Sequence, residues 1–180
     1  DTLGSLNHGM EHILTRDERH AGYMADAYAR VTGKPGVCEG PSGGGATYIL
    51  PALIEAADSS VPILAITTDV ATTSAGRFPL TELDQEALYK PITKWNGSIR
   101  SSDVLPRMLR KAFREMTTGR PGSVHLGLPF DVQKAPVNAD DIWTDERFSY
   151  YPALPQAPDS NSVSEVLTAL KTAELPVIVC

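Results

Sequence analysis

Val37-Cys38-Glu39-Gly40-Pro41-Ser42-Gly43-Gly44-Gly45-Ala46 runs from a short apolar strand through a glycine-rich turn into a helical pattern. Upstream, Glu18 to Thr32 sets Ala21, Met24, Ala25, Tyr28 and Ala29 at helical spacing. Thr15 and Glu18 fit a capping box at the start of that helix, and Gly33 followed by Pro35 ends it. His12 to Arg16 reads as a strand before it. Downstream, a second helix runs from about Ala46 to Ala57. Val61 to Thr67 is a continuous apolar run of the kind buried on both sheet faces. Asp69 to Glu86 has no clear period and reads as a long loop with one helical turn. Asp103 caps a third helix, with Pro106 in its first turn. That helix buries Leu105, Met108, Leu109, Ala112, Phe113 and Met116, and Gly119-Arg120-Pro121-Gly122 stops it. Val124 to Leu128 is the next strand. The alternation predicts an α/β fold: a parallel sheet with helices on both faces.

From Pro129 to Ser160 the periodicity fades, and Pro136, Pro152, Pro155 and Pro158 mark an extended surface connection. Ser162 and Glu165 then fit another capping box. Val163, Val166, Leu167 and Leu170 make a helix face, and Pro176 to Cys180 reads as a strand. Residues 1–133 are thus expected to form one domain, 134–161 a linker, and 162–180 the start of a second α/β domain. The chain opens on Asp1-Thr2-Leu3-Gly4 without a start signal and closes inside an apolar run, as a fragment would.

The 180 residues are 42% hydrophobic and 21% charged, an ordinary globular mixture that excludes whole-chain disorder or coiled coil. No apolar run reaches the roughly 18 residues of a membrane span. A net charge of -6 argues against a nucleic-acid or anionic-membrane partner. Cys38 and Cys180 are too few for a disulfide framework and read as small buried strand residues, which points to a reducing cytoplasm.

His8-Gly9-Met10-Glu11-His12 matches H-x-x-E-H, but Gly9 weakens the helix that zinc binding needs, so a structural role is favoured and no metal site is expected. Asn96-Gly97-Ser98 reads as a turn. The Gly40–Gly45 loop lacks the Lys of a phosphate loop, since Ala46-Thr47 stand in its place. It is either a ligand loop or a tight turn. Glu18, with Asp17, is either a helix-capping acid or a carboxylate at the carboxyl edge of the sheet, where α/β proteins place ligands.

The run Arg16-Asp17-Glu18-Arg19-His20-Ala21-Gly22-Tyr23-Met24-Ala25-Asp26-Ala27-Tyr28-Ala29-Arg30-Val31-Thr32-Gly33 resembles R-H-E-x-x-A-x-x-M-A-D-G-Y-A-R-x-T-G of thiamin-diphosphate enzymes, acetolactate synthase-like carboligases and decarboxylases above all. Ser42-Gly43-Gly44-Gly45-Ala46-Thr47 resembles S-G-P-G-A-T. Asp58 to Ala65, Pro91-Ile92-Thr93-Lys94, Gly119 to Gly122 and Leu128 to Gln133 resemble further family segments, in family order.

The resemblance implies the pyrimidine-binding domain fold of that family, without its first strand and helix, followed by the start of the central domain. It implies that Glu18 hydrogen-bonds N1′ of the cofactor's aminopyrimidine and promotes ylid formation. A buried carboxyl would suit that role. Ser42, Gly43, Gly44, Gly45 and Tyr48 would lie beside the cofactor, and Leu80, Thr81 and Lys94 in the substrate region. Magnesium and diphosphate ligands would belong to another domain. A second subunit, in a homodimer or homotetramer, would complete the site, and a small 2-oxo acid would be the substrate. Gly44 stands for the family's Pro, Tyr48 for Asn, and Leu80-Thr81-Glu82 for F-Q-E, so the implication is firmer for the cofactor than for acetolactate formation. Two other readings remain: a non-catalytic assembly paralogue of the same fold, against which Glu18 weighs, and a plain nucleotide-binding domain using the glycine loop.

Overall fold

The computed structural model describes residues 9–137 and 142–179. Helix α1 (Glu18–Thr32) leads to strand β1 (Gly36–Gly40). Helices α2 (Gly44–Tyr48) and α3 (Leu50–Asp58) follow, then β2 (Ile63–Asp69). A long loop ends at α4 (Gln85–Tyr89), before β3 (Trp95–Ser98). Helix α5 (Leu105–Thr117) and strand β4 (Val124–Pro129) complete the sheet, and α6 (Ser160–Thr172) lies beyond it in sequence. The strands lie in the order β1-β2-β4-β3, and every pair is parallel.

Alternate residues of β2 serve two cores. Ile63 and Ala65 face α1, α3 and Tyr89, whereas Leu64 joins Val124, Leu126, Ala112 and Met116 on the α5 side. Helices therefore cover both faces, as the alternation of elements predicted. The α1 contact face differs from the predicted one. Gly22, Ala25, Asp26 and Ala29 are buried, while Met24 and Tyr28 are exposed. Small residues there let the helix approach closely: a Cβ on Gly22 would lie 2.6 Å from Ala52 Cβ. Asp26 is tolerated inside because Arg30 Nε donates to its Oδ2 at 2.7 Å.

Several local expectations are corrected. Asp17, not Thr15, caps α1, accepting from Arg19 N at 2.8 Å. Asp159, not Ser162, caps α6, accepting from Ser162 N at 2.8 Å. In both cases a carboxylate directly before the first turn reaches the free N–H groups. Among the described residues, His12 to Arg16 forms no strand, and neither does 176–179. The predicted second helix is interrupted at Ile49, because Pro51 has no N–H to donate to Thr47. Asn96-Gly97-Ser98 is not a turn but most of β3, held by its ladder to β4. Cys38 is buried in β1, and burial pushes its thiol up to about 12. His8, Cys180 and the opening residues lie outside the described residues.

The proline-punctuated stretch is tied to the domain. Tyr151 N donates to Gly33 O at 3.2 Å, Tyr151 Oη to Ala29 O at 2.9 Å, and Ala153 N to Thr117 O at 2.9 Å. These acceptors lie at the C-terminal ends of α1 and α5, so the stretch crosses the amino edge of the sheet.

Candidate functional site

Helix α1 runs back toward the start of β1, so its first residue, Glu18, stands at the carboxyl edge of the sheet. The same edge carries the turn from Gly40 at the end of β1 to α2. The two meet: a Cβ built on Gly45 would lie 3.0 Å from Glu18 Oε1 and 2.3 Å from Pro41 Cγ. Only glycine leaves Pro41 and the carboxylate their places. Gly44 has nothing within 4 Å of such a position and faces open space.

Glu18 is half-buried, not buried, and no hydrogen bond occupies its carboxylate among the described residues. Its neighbour Asp17 is already engaged. Arg19 donates to Asp17 Oδ2 at 2.5 Å, and that guanidinium holds the Asp17 carboxyl well below the usual range. Arg19 in turn lies 5.8 Å from the centroid of the Tyr48 ring. One acid thus caps the helix and the next is left facing outward beside Gly45.

The loop after β2 closes on the glycine turn. Gly43 adopts φ +67°, and a Cβ there would lie 2.9 Å from Thr81 Cβ. Ser42 Oγ and Thr81 Oγ1 share a hydrogen bond of 2.8 Å. Thr81 and Phe78 both have positive φ, an uncommon backbone for residues with a Cβ. Glu82 steadies the segment by accepting from Gly76 N at 2.5 Å and Phe78 N at 2.9 Å. Phe78 and Leu80 stand 94% and 92% exposed, so this edge presents apolar side chains outward.

Glu18, Ser42, Gly43, Gly45 and Thr81 are therefore brought into one neighbourhood, with Tyr48 reached through Arg19. Lys94 is not. It immediately precedes β3, at the amino edge, where its Nζ donates to Thr118 O at 2.5 Å. It lines a hollow with Ile54, Asp58, Ile92 and Arg120, and burial lowers its ammonium pKa.

A buried polar layer beneath the glycine turn escaped sequence reasoning. Tyr89 Oη donates to Ala46 O in α2 at 2.5 Å. The His125 ring stacks on Tyr89 at 3.6 Å with an interplanar angle of 1°. His125 Nε2 meets Thr67 Oγ1 at 2.7 Å, and Thr67 bonds Gln85 Oε1. Its one signal in the sequence is a lone His among the apolar residues of β4. No group of three or more metal-ligating side chains occurs among the described residues. No helix among them is long and apolar enough to cross a membrane.

Residues 3–88 match the family described as "Thiamine pyrophosphate enzyme, N-terminal TPP binding domain". The chain is 42% identical over 129 residues, 72% of its length and 22% of the relative's, to a probable acetolactate synthase large subunit of Methanocaldococcus jannaschii. It is 37% identical over 172 residues, 95% of its length and 28% of the relative's, to glyoxylate carboligase of Escherichia coli O157:H7. It is 40% identical over 136 residues, 73% of its length and 24% of the relative's, to a probable 2-ketoarginine decarboxylase of Pseudomonas aeruginosa. The chain thus spans between 22% and 28% of the length of these curated relatives. The parallel sheet, the order of its elements and these matches agree, and the chain belongs to the thiamine pyrophosphate enzymes, on their acetolactate synthase-like side.

Proposed function

We propose that this chain is the pyrimidine-binding part of a thiamin-diphosphate-dependent 2-oxo acid carboligase or decarboxylase, a transferase or lyase, in which Glu18 is the catalytic acid. The observation that carries the reading is the meeting of Glu18 Oε1 with Gly45 at the carboxyl edge. A half-buried carboxyl with no hydrogen-bond partner among the described residues can share a proton with a ring nitrogen. The missing Cβ of Gly44 leaves open space where a flat ring can approach the backbone, and those of Gly43 and Gly45 let Thr81, Pro41 and Glu18 pack around the turn, so the residues fit the cofactor's pyrimidine. When bound, thiamin diphosphate supplies a carbon nucleophile that adds to a 2-oxo acid carbonyl.

In this reading Glu18 holds the proton at Oε1 facing the pyrimidine, and Ser42, the three glycines and Tyr48 border the ring. Thr81 fixes the loop that carries Leu80 toward substrate. Lys94 has no part in this neighbourhood and would act only across a subunit contact. Residues 1–133 serve as the pyrimidine domain, 134–161 as a linker and 162–180 as the start of a central domain. Magnesium would be held by another domain. The exposed Tyr23, Met24, Tyr28 and Val31 of α1 support a second subunit covering this face, in a homodimer or homotetramer. The working site is cytoplasmic in this reading.

Glu18→Gln in the full-length protein tests it. Exchange of the C2 proton of bound cofactor should stop while binding persists. Exchange at the unaltered rate would remove Glu18 from the mechanism. Absence of saturable thiamin diphosphate binding by the unaltered protein would instead favour a non-catalytic assembly paralogue.

A further inference from the structure

Helix α2 has few side chains with which to hold itself in place. Gly44 and Gly45 have none, and Ala46 offers one methyl group. The helix stops at Tyr48, so the carbonyl of Ala46 is among the last four, which find no N–H donor inside a helix. Ala46 is fully buried, so water does not serve that carbonyl either. Tyr89 does: its Oη donates to Ala46 O at 2.5 Å. Among the described residues, this is the one hydrogen bond that reaches the α2 backbone from beyond its own flanking residues.

The hydroxyl is itself held from below. Tyr89 is fully buried, and its ring stacks on that of His125 in β4. His125 Nε2 meets Thr67 Oγ1 of β2 at 2.7 Å, and Thr67 bonds Gln85 Oε1. Gln85 Nε2 donates to Thr68 O at 2.9 Å. Gln85 and Tyr89 are four residues apart on α4, so one helix face grips both central strands. Thr93 Oγ1 donates to Tyr89 O at 2.7 Å and fixes the end of that helix. Burial raises the Tyr89 phenol pKa, so the group stays a donor. The place of the two central strands is thus passed to the carbonyl next to Gly45.

The consequence falls on Glu18. A Cβ on Gly45 would lie 2.3 Å from Pro41 Cγ and 3.0 Å from Glu18 Oε1, so α2 is packed tightly against both. Without the Tyr89 hydroxyl, Ala46 O would be a buried acceptor with no donor, a costly state that α2 relieves only by moving. Any such movement carries Gly45 against the carboxylate or away from it.

We propose that Tyr89 is a positioning residue for cofactor activation: its hydrogen bond to Ala46 O sets where the glycine turn stands against Glu18, and so how the Glu18 carboxyl meets the pyrimidine. The role rests on the thiamin diphosphate reading above, and in it Tyr89 touches neither cofactor nor substrate.

The test is C2-proton exchange of bound thiamin diphosphate in the full-length protein at saturating cofactor, for Tyr89→Phe beside Glu18→Gln. Misplacing a reacting group by about 1 Å can cost about 10²-fold, so Tyr89→Phe should slow the saturated rate at least about tenfold. Val124→Ala is the control for lost stability alone. It opens space in the other core, at the amino edge of the sheet, and should lower the urea midpoint while leaving the saturated rate unchanged. Trimethylamine N-oxide favours burial and restores the fold of a merely destabilised protein, but it cannot replace a hydroxyl. The slow rate of Tyr89→Phe should therefore persist in it. A Tyr89→Phe rate equal to that of the unaltered protein, with or without the osmolyte, or an equal slowing in Val124→Ala, would overturn the positioning role while Glu18→Gln still stops exchange. Exchange by Glu18→Gln at the unaltered rate would instead remove the reading on which the role rests, and the role with it.

Discussion

Gly44 and Gly45 are adjacent, lie in the same short helix, and should respond oppositely to alanine. In a helix interior, alanine is favoured over glycine by up to about 1 kcal/mol. At Gly44 nothing opposes that gain, because no atom lies within 4 Å of the new Cβ. The first position of a helix realises only part of it, so Gly44→Ala should stabilise by about 0.5 kcal/mol. At Gly45 the same Cβ would lie 2.3 Å from Pro41 Cγ and 2.5 Å from Pro41 Cδ. The pyrrolidine ring is rigid, so the backbone must move, and overpacking of this kind costs about 1–3 kcal/mol. Less the propensity gain, Gly45→Ala should destabilise by about 1–2 kcal/mol. With a urea slope of about 2 kcal/mol per molar, the two variants should differ in midpoint by about 1 M. Urea unfolding followed by circular dichroism measures this. Gly45→Ala should also weaken thiamin diphosphate binding, since the new methyl pushes on Glu18 Oε1 at 3.0 Å. Equal midpoints for the two variants would refute the packing of Pro41 and Glu18 over Gly45.

Tyr89→Phe deletes the hydroxyl that donates to Ala46 O and leaves a buried carbonyl unpaired; a loss of about 1–3 kcal/mol in urea unfolding is expected. Burial pushes the His125 pKa down to about 3, against about 6.5 when unfolded. Its neutral form is the folded one, so its stabilising contribution is complete above pH about 6.5 and falls as pH drops toward about 3, by at most about 1.4 kcal/mol per pH unit. Urea midpoints between pH 7 and 4 should show that slope, and His125→Asn should flatten it. Cys38 should resist a thiol reagent at pH 8 in the folded protein and react once it is unfolded, measured in a Cys180→Ser background.

The parts of the fold that were legible in the sequence are those whose cause is local. The helical period of 18–32, the glycine stop at Gly33 and the apolar run leading into β2 each declare themselves within a few residues. β3 did not, because Trp95-Asn96-Gly97-Ser98 has no apolar alternation; its strand geometry comes from hydrogen bonds to β4, some 30 residues away in sequence. The face of α1 was misread for a related reason. Met24 and Tyr28 are more apolar than Gly22 and Asp26, yet the close approach to α3 and β1 selects small residues, and the large ones are left outside.

The same distinction divides the candidate site. Glu18 and the glycine turn were legible because one helix–strand–turn unit brings them together: α1 returns the chain to the amino edge and β1 carries it forward again to Gly40. Thr81, far along the chain, reaches them only by a loop with no period. Lys94 belongs to the same family motifs, yet β3 begins directly after it, which puts it at the opposite edge of a parallel sheet. Sequence order within a βα unit therefore decides which edge a residue occupies. A residue just before a strand cannot share an edge with one that opens a helix returning to a strand's start. By that rule Glu18 and Lys94 cannot act on one ligand within a single copy of this domain. If both serve the same reaction, Lys94 must do so from another subunit. Mixing Glu18→Gln and Lys94→Ala proteins after dissociation should then restore part of the activity if each is inactive alone. Failure to complement, with both variants folded, would leave Lys94 with the structural duty its bond to Thr118 already gives it.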